Sequence, residues 1–317
     1  MDKIAIIGAG RVGESAAQFL AVSELCAEVV LVDVREGAAA GAALDIQESA
    51  ALFGFDTRVT GDTSMEIIAG ADLVIVTAGL PRKPGMSRSD VLDANLEVVR
   101  QVIGHVRRLA PDAMLLMVTN PVDVLTHAAW RMLGVDRSRV VGLSGVLDAA
   151  RMATFVSLET GFSTRDITAM VLGGHGDAMV PLPRYTTING ISVDHFLDRE
   201  AIDRVVERTR QGGAEILALK KTSSAYDAPA AAIAEMVSAI ARDRCQVLPC
   251  VAVLDGEYGL EDIAMGVPVI LRREGVAGVV ELRLSGDEEQ QFRRSARAVR
   301  ADLDRIAALP SSPSEEE

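Results

Sequence analysis

The chain alternates between two patterns. Short, unbroken apolar runs are set apart by longer stretches in which apolar residues return every three or four positions. In the first half the runs are KIAIIG, EVVLVDV, ADLVIVTAG, AMLLMVTNP and SRVVGLS. Each is rich in Val, Ile and Leu and closes on Gly, Asp, Asn or Ser, which predicts strands buried on both faces. Between them SAAQFLAVS, AGAALDIQESA, residues 90–109 and DVLTHAAWRML read as helices, the third ending before Pro111. Buried strands alternating with helices predict an α/β fold with a doubly wound parallel sheet. Ligands of such sheets bind beyond the carboxyl ends of the strands, where Gly79, Asn120 and Ser144 fall.

The second half is patterned differently. Residues 145–160 read as a helix, and DITAMVLGGHGDAMVP as a strand running into a glycine-rich turn. Residues 200–221 and APAAAIAEMVSAIARD are helical, the former with Gly212 and Gly213 as a kink or close-packing point. QVLPCVAVLDG, GVPVILRR and VAGVVEL read as strands of a smaller antiparallel unit. GDEEQQFRRSARAVRADLDRIAAL closes the fold as an amphipathic helix with acid at its start, as the helix dipole prefers. The expected division is a dinucleotide-binding unit at 1–144, a substrate-binding and catalytic unit at 145–308, and a polar acidic tail, LPSSPSEEE, at 309–317.

The first apolar run leads into GAGRVG, so Gly8, Gly10 and Gly13 form G-x-G-x-x-G between a strand and a helix. Gly8 suits the tight turn, Gly10 the approach of a pyrophosphate, and Gly13 close helix–strand packing, with Arg11 and Val12 in the variable positions. The second run ends in Asp33, twenty residues past Gly13, where a carboxylate grips the adenosine ribose hydroxyls. A carboxylate there repels a 2′-phosphate, so the predicted cofactor is NAD rather than NADP.

Composition narrows the class. Over 317 residues the formal net charge is −13, which opposes a general nucleic-acid partner. Cys26, Cys245 and Cys250 give no disulfide framework. No run approaches the length of a membrane span, and MDKIAIIGAG enters a strand at once, so a cytoplasmic location is expected. No cluster suggests a metal. Against the acidic background GLPRKPGMSR stands out, with Arg82, Lys83 and Arg88 just past a buried strand. Of four histidines, His175 alone is framed by glycines, which permit close approach of another group to the backbone. Asp148 and Arg151, three apart, share one helix face.

GAGRVG, VDV, TAGLPRKPGMSR, TNPVD, GLSGVLDAARM, GGHGDAMVP and SSAYDAPAA occur in this order between residue 4 and about residue 308. Together they resemble the malate and lactate dehydrogenase family, and most closely its tetrameric, lactate-dehydrogenase-like bacterial malate dehydrogenases. The resemblance implies a Rossmann-type sheet followed by a mixed α+β catalytic domain, and NAD-dependent interconversion of (S)-malate and oxaloacetate. It assigns His175 as acid/base, Asp148 as its partner, Arg151 to the C1 carboxylate, and Asn120 to the substrate oxygen and cofactor. Arg88 would polarise the reacting carbonyl from a closing loop, and Arg82 would bind the distal carboxylate where lactate enzymes commonly carry glutamine. Ala225 would line the same end of the pocket. Thr77, Ala78, Gly79, Asn95 and Val118 would join the glycine motif and Asp33 around the cofactor. Asp227 departs from the tyrosine common in relatives and is expected to be peripheral. A homo-oligomer is implied, a tetramer or alternatively a dimer. The competing readings are a lactate or other 2-hydroxy-acid dehydrogenase, which Arg82 opposes, and an inactive nucleotide-sensing or scaffold protein, which the intact set Arg88, Asp148, Arg151 and His175 opposes.

Overall fold

The computed structural model describes residues 1–80 and 88–308, Arg88 by its backbone alone. The parallel sheet of the first half comprises β1 (Lys3–Ile7), β2 (Glu28–Val32), β3 (Arg58–Asp62), β4 (Leu73–Val76), β5 (Met114–Met117) and β6 (Val140–Gly142). Its helices are α1 (Arg11–Val22), α2 (Ala38–Glu48), the short α3 (Ala50–Phe53), α4 (Arg88–Leu109) and α5 (Val122–Leu133). The strands run in the order β3-β2-β1-β4-β5-β6, so the chain reverses direction across the sheet between β1 and β4. That reversal opens the crevice in which doubly wound sheets bind nucleotides. Ile4, Ile6, Leu31, Ile75, Leu115 and Leu116 are fully buried between the helical layers. Each such side chain contributes roughly 1.5–3 kcal/mol relative to exposure.

The apolar pattern does not predict β3. Its sequence, RVTGD, buries only Val59 and lies at the sheet edge, where a continuous hydrophobic run is not required. Gly61 lets α2 lie against this edge, because a Cβ there would overlap the Ala39 carbonyl.

In the second half α6 (Gly145–Thr160) leads to the paired short strands β7 (Ile167–Thr168), β8 (Val171–Leu172), β9 (Val180–Pro181), β10 (Thr187–Ile188) and β11 (Ile191–Ser192). Then follow α7 (Arg199–Lys220), α8 (Asp227–Ala241), β12 (Gln246–Asp255), β13 (Glu261–Arg272), β14 (Gly275–Val279) and α9 (Gly286–Ala307). Helix α7 continues unbroken through Gly212 and Gly213. These glycines serve close packing rather than a kink, since a Cβ at Gly212 would lie 3.2 Å from Cδ of Arg151.

The antiparallel strands do not form a separate unit. β12 pairs with β6 through Val251 and Gly142, giving one nine-stranded sheet, β14-β13-β12-β6-β5-β4-β1-β2-β3. Gly142 makes the join possible, because a Cβ there would stand 2.5 Å from Thr126 Oγ1 and 2.9 Å from Val251 Cβ. Helix α8 also crosses back to pack on α1. Ser285 and Glu288 cap α9 reciprocally: the Glu288 amide donates to Ser285 Oγ and the Ser285 amide to Glu288 Oε2, at 3.3 and 2.7 Å.

Candidate active site

The ends of β1, β2, β4 and β5 carry the expected cofactor residues. Gly8 follows β1 with φ +109°, and a Cβ there would lie 2.5–2.9 Å from the backbone of Thr77 and Ala78. The turn is locked from β4: Thr77 Oγ1 donates to the Gly8 carbonyl at 2.8 Å and the Ala78 amide to the Ile7 carbonyl at 2.7 Å. Gly13 is buried in the first turn of α1, where a Cβ would overlap the Gly8 carbonyl. Gly10, by contrast, is exposed, with nothing within 4 Å of where a Cβ would stand. No side chain caps α1, so its first amides are left for an anion. The three glycines thus divide as a pyrophosphate cradle requires, with two tight positions and one open to the ligand. Val12 is half-buried against the core.

Asp33 Oδ2 accepts the Ala9 amide at 2.9 Å, which fastens the carboxylate to the glycine turn. Its other partner is Arg35, whose Nε lies 2.9 Å from Oδ1. Burial alone would raise the Asp33 carboxyl, but the bonds from Arg35 and Ala9 outweigh it and hold it below the usual range. Arg35 was invisible as a candidate, because an arginine two residues past a strand end reads as solvated surface. These residues fit a dinucleotide: open backbone amides for the pyrophosphate and an ionised acid for the ribose.

Asn95 and Gly79, both expected around the cofactor, lie between the loops after β4 and β5. Asn95, buried in α4, accepts the Leu80 amide at 2.7 Å and donates to the carbonyls of Leu80 and Asn120, the latter at 2.7 Å. These bonds tie the loop after β4 to the loop after β5, the two loops that carry the expected cofactor residues. Gly79 is closed at this tie, since a Cβ there would overlap Thr119 Cγ2 and lie 3.1 Å from Asn95 Oδ1. Arg11 extends to the stretch after α7, with its guanidinium 5.3 Å from the centre of the Tyr226 ring. Ala225, next to Tyr226, is half-buried. Val118 is half-buried, its amide bonded to the Val76 carbonyl at 2.9 Å, while Asn120 is exposed above the crevice. Asp227 is exposed, 3.8 Å from Lys220 Nζ.

The second half supplies a charge cluster. Helix α6 carries Asp148, 1% exposed, and Arg151 one turn later. The turn between β8 and β9 carries His175, flanked by Gly174 and by Gly176 at φ +98°. His175 Nδ1 lies 2.9 Å from Asp148 Oδ2, and Arg151 NH1 donates to Asp148 Oδ1 at 3.1 Å. One buried carboxylate therefore aligns both the imidazole and the guanidinium. Nε2 of His175 has no partner among the described residues, and Arg151 Nε is buried without one. Burial by itself would lower the His175 pKa; the Asp148 charge and hydrogen bond outweigh it, Asp123 adds to them, Arg151 opposes, and the net direction is upward. Such an imidazole can exchange a proton near neutral pH while Arg151 holds an anion beside it.

Asp123 was not singled out as a site residue, although TNPVD contains it. It is 4% exposed in the first turn of α5, and its Oδ2 accepts the His175 amide at 2.9 Å. Arg82 and the Arg88 side chain lie outside the described residues; Arg88 opens α4. Among the described residues no group of His, Cys, Asp and Glu could hold a metal, no helix is long and apolar enough to cross a membrane, and the three cysteines are free thiols.

Residues 2–142 match the NAD-binding domain of the lactate/malate dehydrogenases, and residues 145–309 match their alpha/beta C-terminal domain. The malate dehydrogenase of Thioalkalivibrio sulfidiphilus is 66% identical over 306 residues, 96% of this chain and 100% of that one. The solved malate dehydrogenase of Salinibacter ruber superposes with a TM-score of 0.92 at 44% identity, covering 96% of this chain and 97% of that one. The lactate dehydrogenase of Cryptosporidium parvum, solved with lactic acid and nicotinamide adenine dinucleotide, superposes with a TM-score of 0.94 at 35% identity, covering 98% and 99%.

Proposed function

The chain belongs to the lactate/malate dehydrogenase family, and we propose that it is an NAD-dependent malate dehydrogenase interconverting (S)-malate and oxaloacetate at the His175–Asp148–Arg151 cluster. The observation that carries the chemistry is the shared carboxylate of Asp148, 2.9 Å from the His175 ring and 3.1 Å from the Arg151 guanidinium. NAD supplies the acceptor for the hydride that leaves C2 of malate. His175 Nε2 takes the hydroxyl proton in that direction and returns it to the carbonyl oxygen in the other. Asp148 fixes the tautomer by occupying Nδ1 and stabilises the charged ring. Arg151 holds the C1 carboxylate with the N–H groups that Asp148 leaves free. Asn120, at the exposed end of β5, donates to the substrate oxygen, and Arg88 polarises the carbonyl.

Fold alone does not choose the substrate, since a lactate dehydrogenase superposes as well as a malate dehydrogenase. Arg82 makes the choice here: a guanidinium pairs with the distal carboxylate of oxaloacetate and finds no partner in pyruvate. The test follows NADH absorbance with both keto acids in wild type, Arg82→Gln and Arg151→Gln. An unmatched charge in a closed site costs about 3–5 kcal/mol, so Arg82→Gln is expected to lose roughly 100-fold or more on oxaloacetate and little on pyruvate. Arg151→Gln, which removes the contact common to both substrates, lowers both. Equal losses on both substrates for Arg82→Gln would remove the malate assignment.

A homo-oligomer, a tetramer before a dimer, is part of the same reading. It is supported by Leu44, Leu52 and Phe53, exposed on α2 and α3, and by Leu217 and Leu219 on α7. Sedimentation equilibrium measures the state, and a monomer would refute it. A cytoplasmic enzyme is the matching location.

A further inference from the structure

The acid at the end of β2 is already saturated by its own chain. A carboxylate offers about four lone-pair sites, two on each oxygen. Asp33 Oδ1 accepts the Arg35 backbone amide at 3.0 Å and Arg35 Nε at 2.9 Å. Oδ2 accepts the Ala9 amide at 2.9 Å and Arg35 NH2 at 3.1 Å. The same NH2 donates to the Ala9 carbonyl at 3.2 Å, so the guanidinium lies across both oxygens and against the glycine turn. We infer that Arg35 is a masked subsite for a phosphate on the 2′ position of the adenosine ribose: Asp33 keeps it occupied, and without Asp33 it recognises that phosphate. The inference rests on Asp33 lying at the ribose and is independent of which keto acid the enzyme reduces.

Three observations support it. The first is the geometry of the pair. Nε and NH2 of Arg35 each meet a different oxygen of Asp33, the two-point fork with which a guanidinium also takes two oxygens of a phosphate. The second is the order of the two charges from the inside outward. The Asp33 side chain is 10% exposed and that of Arg35 65%, so the cation is the outer member and can turn to a ligand without being pulled from the core. The third is the connection that carries it. Arg35 lies between β2 and α2, and its carbonyl accepts the Ala38 amide at the start of α2. That helix has no side-chain cap and no acidic residue in its first turn, a start that favours an anion. Glu36, the other acid of the connection, is exposed, and among the described residues Arg35 pairs with Asp33 alone.

Asp33 then selects against a 2′-phosphate in two ways. Its own charge repels the phosphate, and it holds the one neighbouring cation that would bind it. A ribose with free hydroxyls can replace the Arg35 bonds on Asp33 with its own, because hydroxyls donate. A 2′-phosphate cannot donate, so drawing Arg35 toward it leaves the acid without those bonds. The two effects separate by substitution. Asp33→Ser removes the acid and frees the guanidinium. Arg35→Gln removes the cation and leaves the acid fastened to the Ala9 amide. The double variant lacks both.

The experiment measures affinity rather than turnover. NADH and NADPH are titrated by fluorescence into the full-length wild type, the two single variants and the double variant, and adenosine 2′,5′-bisphosphate and AMP are competed against them. Asp33→Ser is expected to bind NADPH more tightly than NADH, reversing the wild-type order. Adding Arg35→Gln to Asp33→Ser should weaken NADPH by about 10-fold to 100-fold, the value of hydrogen bonds to a charged group, and NADH by less than about threefold. Adding Arg35→Gln to the wild type should change NADPH by less than about threefold, because there Asp33 already holds the guanidinium. The bisphosphate should follow NADPH, and AMP should follow NADH. Arg35→Gln that leaves NADPH affinity unchanged in the Asp33→Ser background would overturn the subsite. An equal loss in both backgrounds would overturn the masking. If Asp33→Ser does not fold, Asp33→Asn, whose oxygen can still accept the Ala9 amide, carries the same comparison. A wild type that does not reduce oxaloacetate would remove the proposed function and leave these affinities to decide the inference by themselves.

Discussion

Replacing Asp148 with asparagine tests the centre of the proposed site. The carboxylate is 1% exposed and bonds two cationic groups, His175 at 2.9 Å and Arg151 at 3.1 Å. Asparagine keeps the shape and offers one oxygen and one NH2. If the oxygen faces His175, the NH2 points at the Arg151 guanidinium, donor against donor. If the oxygen faces Arg151, the NH2 points at Nδ1 and selects the opposite tautomer. Either arrangement leaves a buried cation without its counter-charge, at a cost of about 3–5 kcal/mol, which is roughly 100-fold to several-thousand-fold in rate. The pH dependence adds a sign. Asp148 raises the His175 pKa, and oxaloacetate reduction needs the protonated ring, so the decline of kcat with rising pH moves to lower pH in the mutant. The assay is NADH-linked reduction of oxaloacetate across pH, with NADH affinity from fluorescence as the control, because Asp148 does not touch the glycine turn. A kcat within tenfold of wild type and an unmoved pH profile would show that the carboxylate is structural and that the proton donor lies elsewhere.

The ionised Asp33 beside the glycine turn is expected to make NADH preferred over NADPH by about 30-fold to 1000-fold, corresponding to roughly 2–4 kcal/mol of lost hydrogen bonding and like-charge repulsion; equal specificity constants for the two cofactors would contradict it. Glu257, paired with Arg137 at 2.8 Å, has its carboxyl lowered to about 2, first by the Arg137 hydrogen bond. A depressed carboxyl contributes stability present above its unfolded value near 4.5 and lost as pH falls toward 2. With the Arg137 side chain 37% exposed, solvent screening leaves about 1 kcal/mol of this contribution. Arg137→Gln should therefore lower Tm by roughly 1–3 °C at neutral pH, and the gap should close near pH 2; a gap that persists there would exclude the ion pair as its cause.

The parallel strands and their helices were legible because burial on both faces forces continuous apolar runs, as in LVIV of β4 and MLLM of β5. Helix α6 matches its sequence reading from Gly145 to Thr160 because a glycine stands at each end of its pattern, Gly145 opening it and Gly161 just beyond it. β3 escaped because an edge strand needs to bury only one residue. The union of β6 with β12 escaped because strand pairing depends on contacts far apart in sequence, and a glycine at 142 gives no hint of its partner. In the site, GxGxxG and Asp33 were readable from spacing. The pairing of His175 with Asp148 was not, since nothing in the interval between them places one against the other. Asp123 shows a further reason: a polar residue that holds a backbone amide looks the same in sequence as one that faces a ligand.

The rung between Gly142 and Val251 has a consequence for how such a protein can be taken apart. The two family domains abut just past residue 142, so a recombinant made by exchanging halves between relatives would be cut there. The backbone ladder runs straight across that seam. A transplanted C-terminal half must bring a β12 that accepts the host's β6, with side chains at positions 126 and 251 that leave the space Gly142 needs. Linkage of this kind makes the halves heritable as a pair, even though one binds the dinucleotide and the other carries the acid/base. It also denies the protein a hinge between them, because bending at the seam would break the sheet.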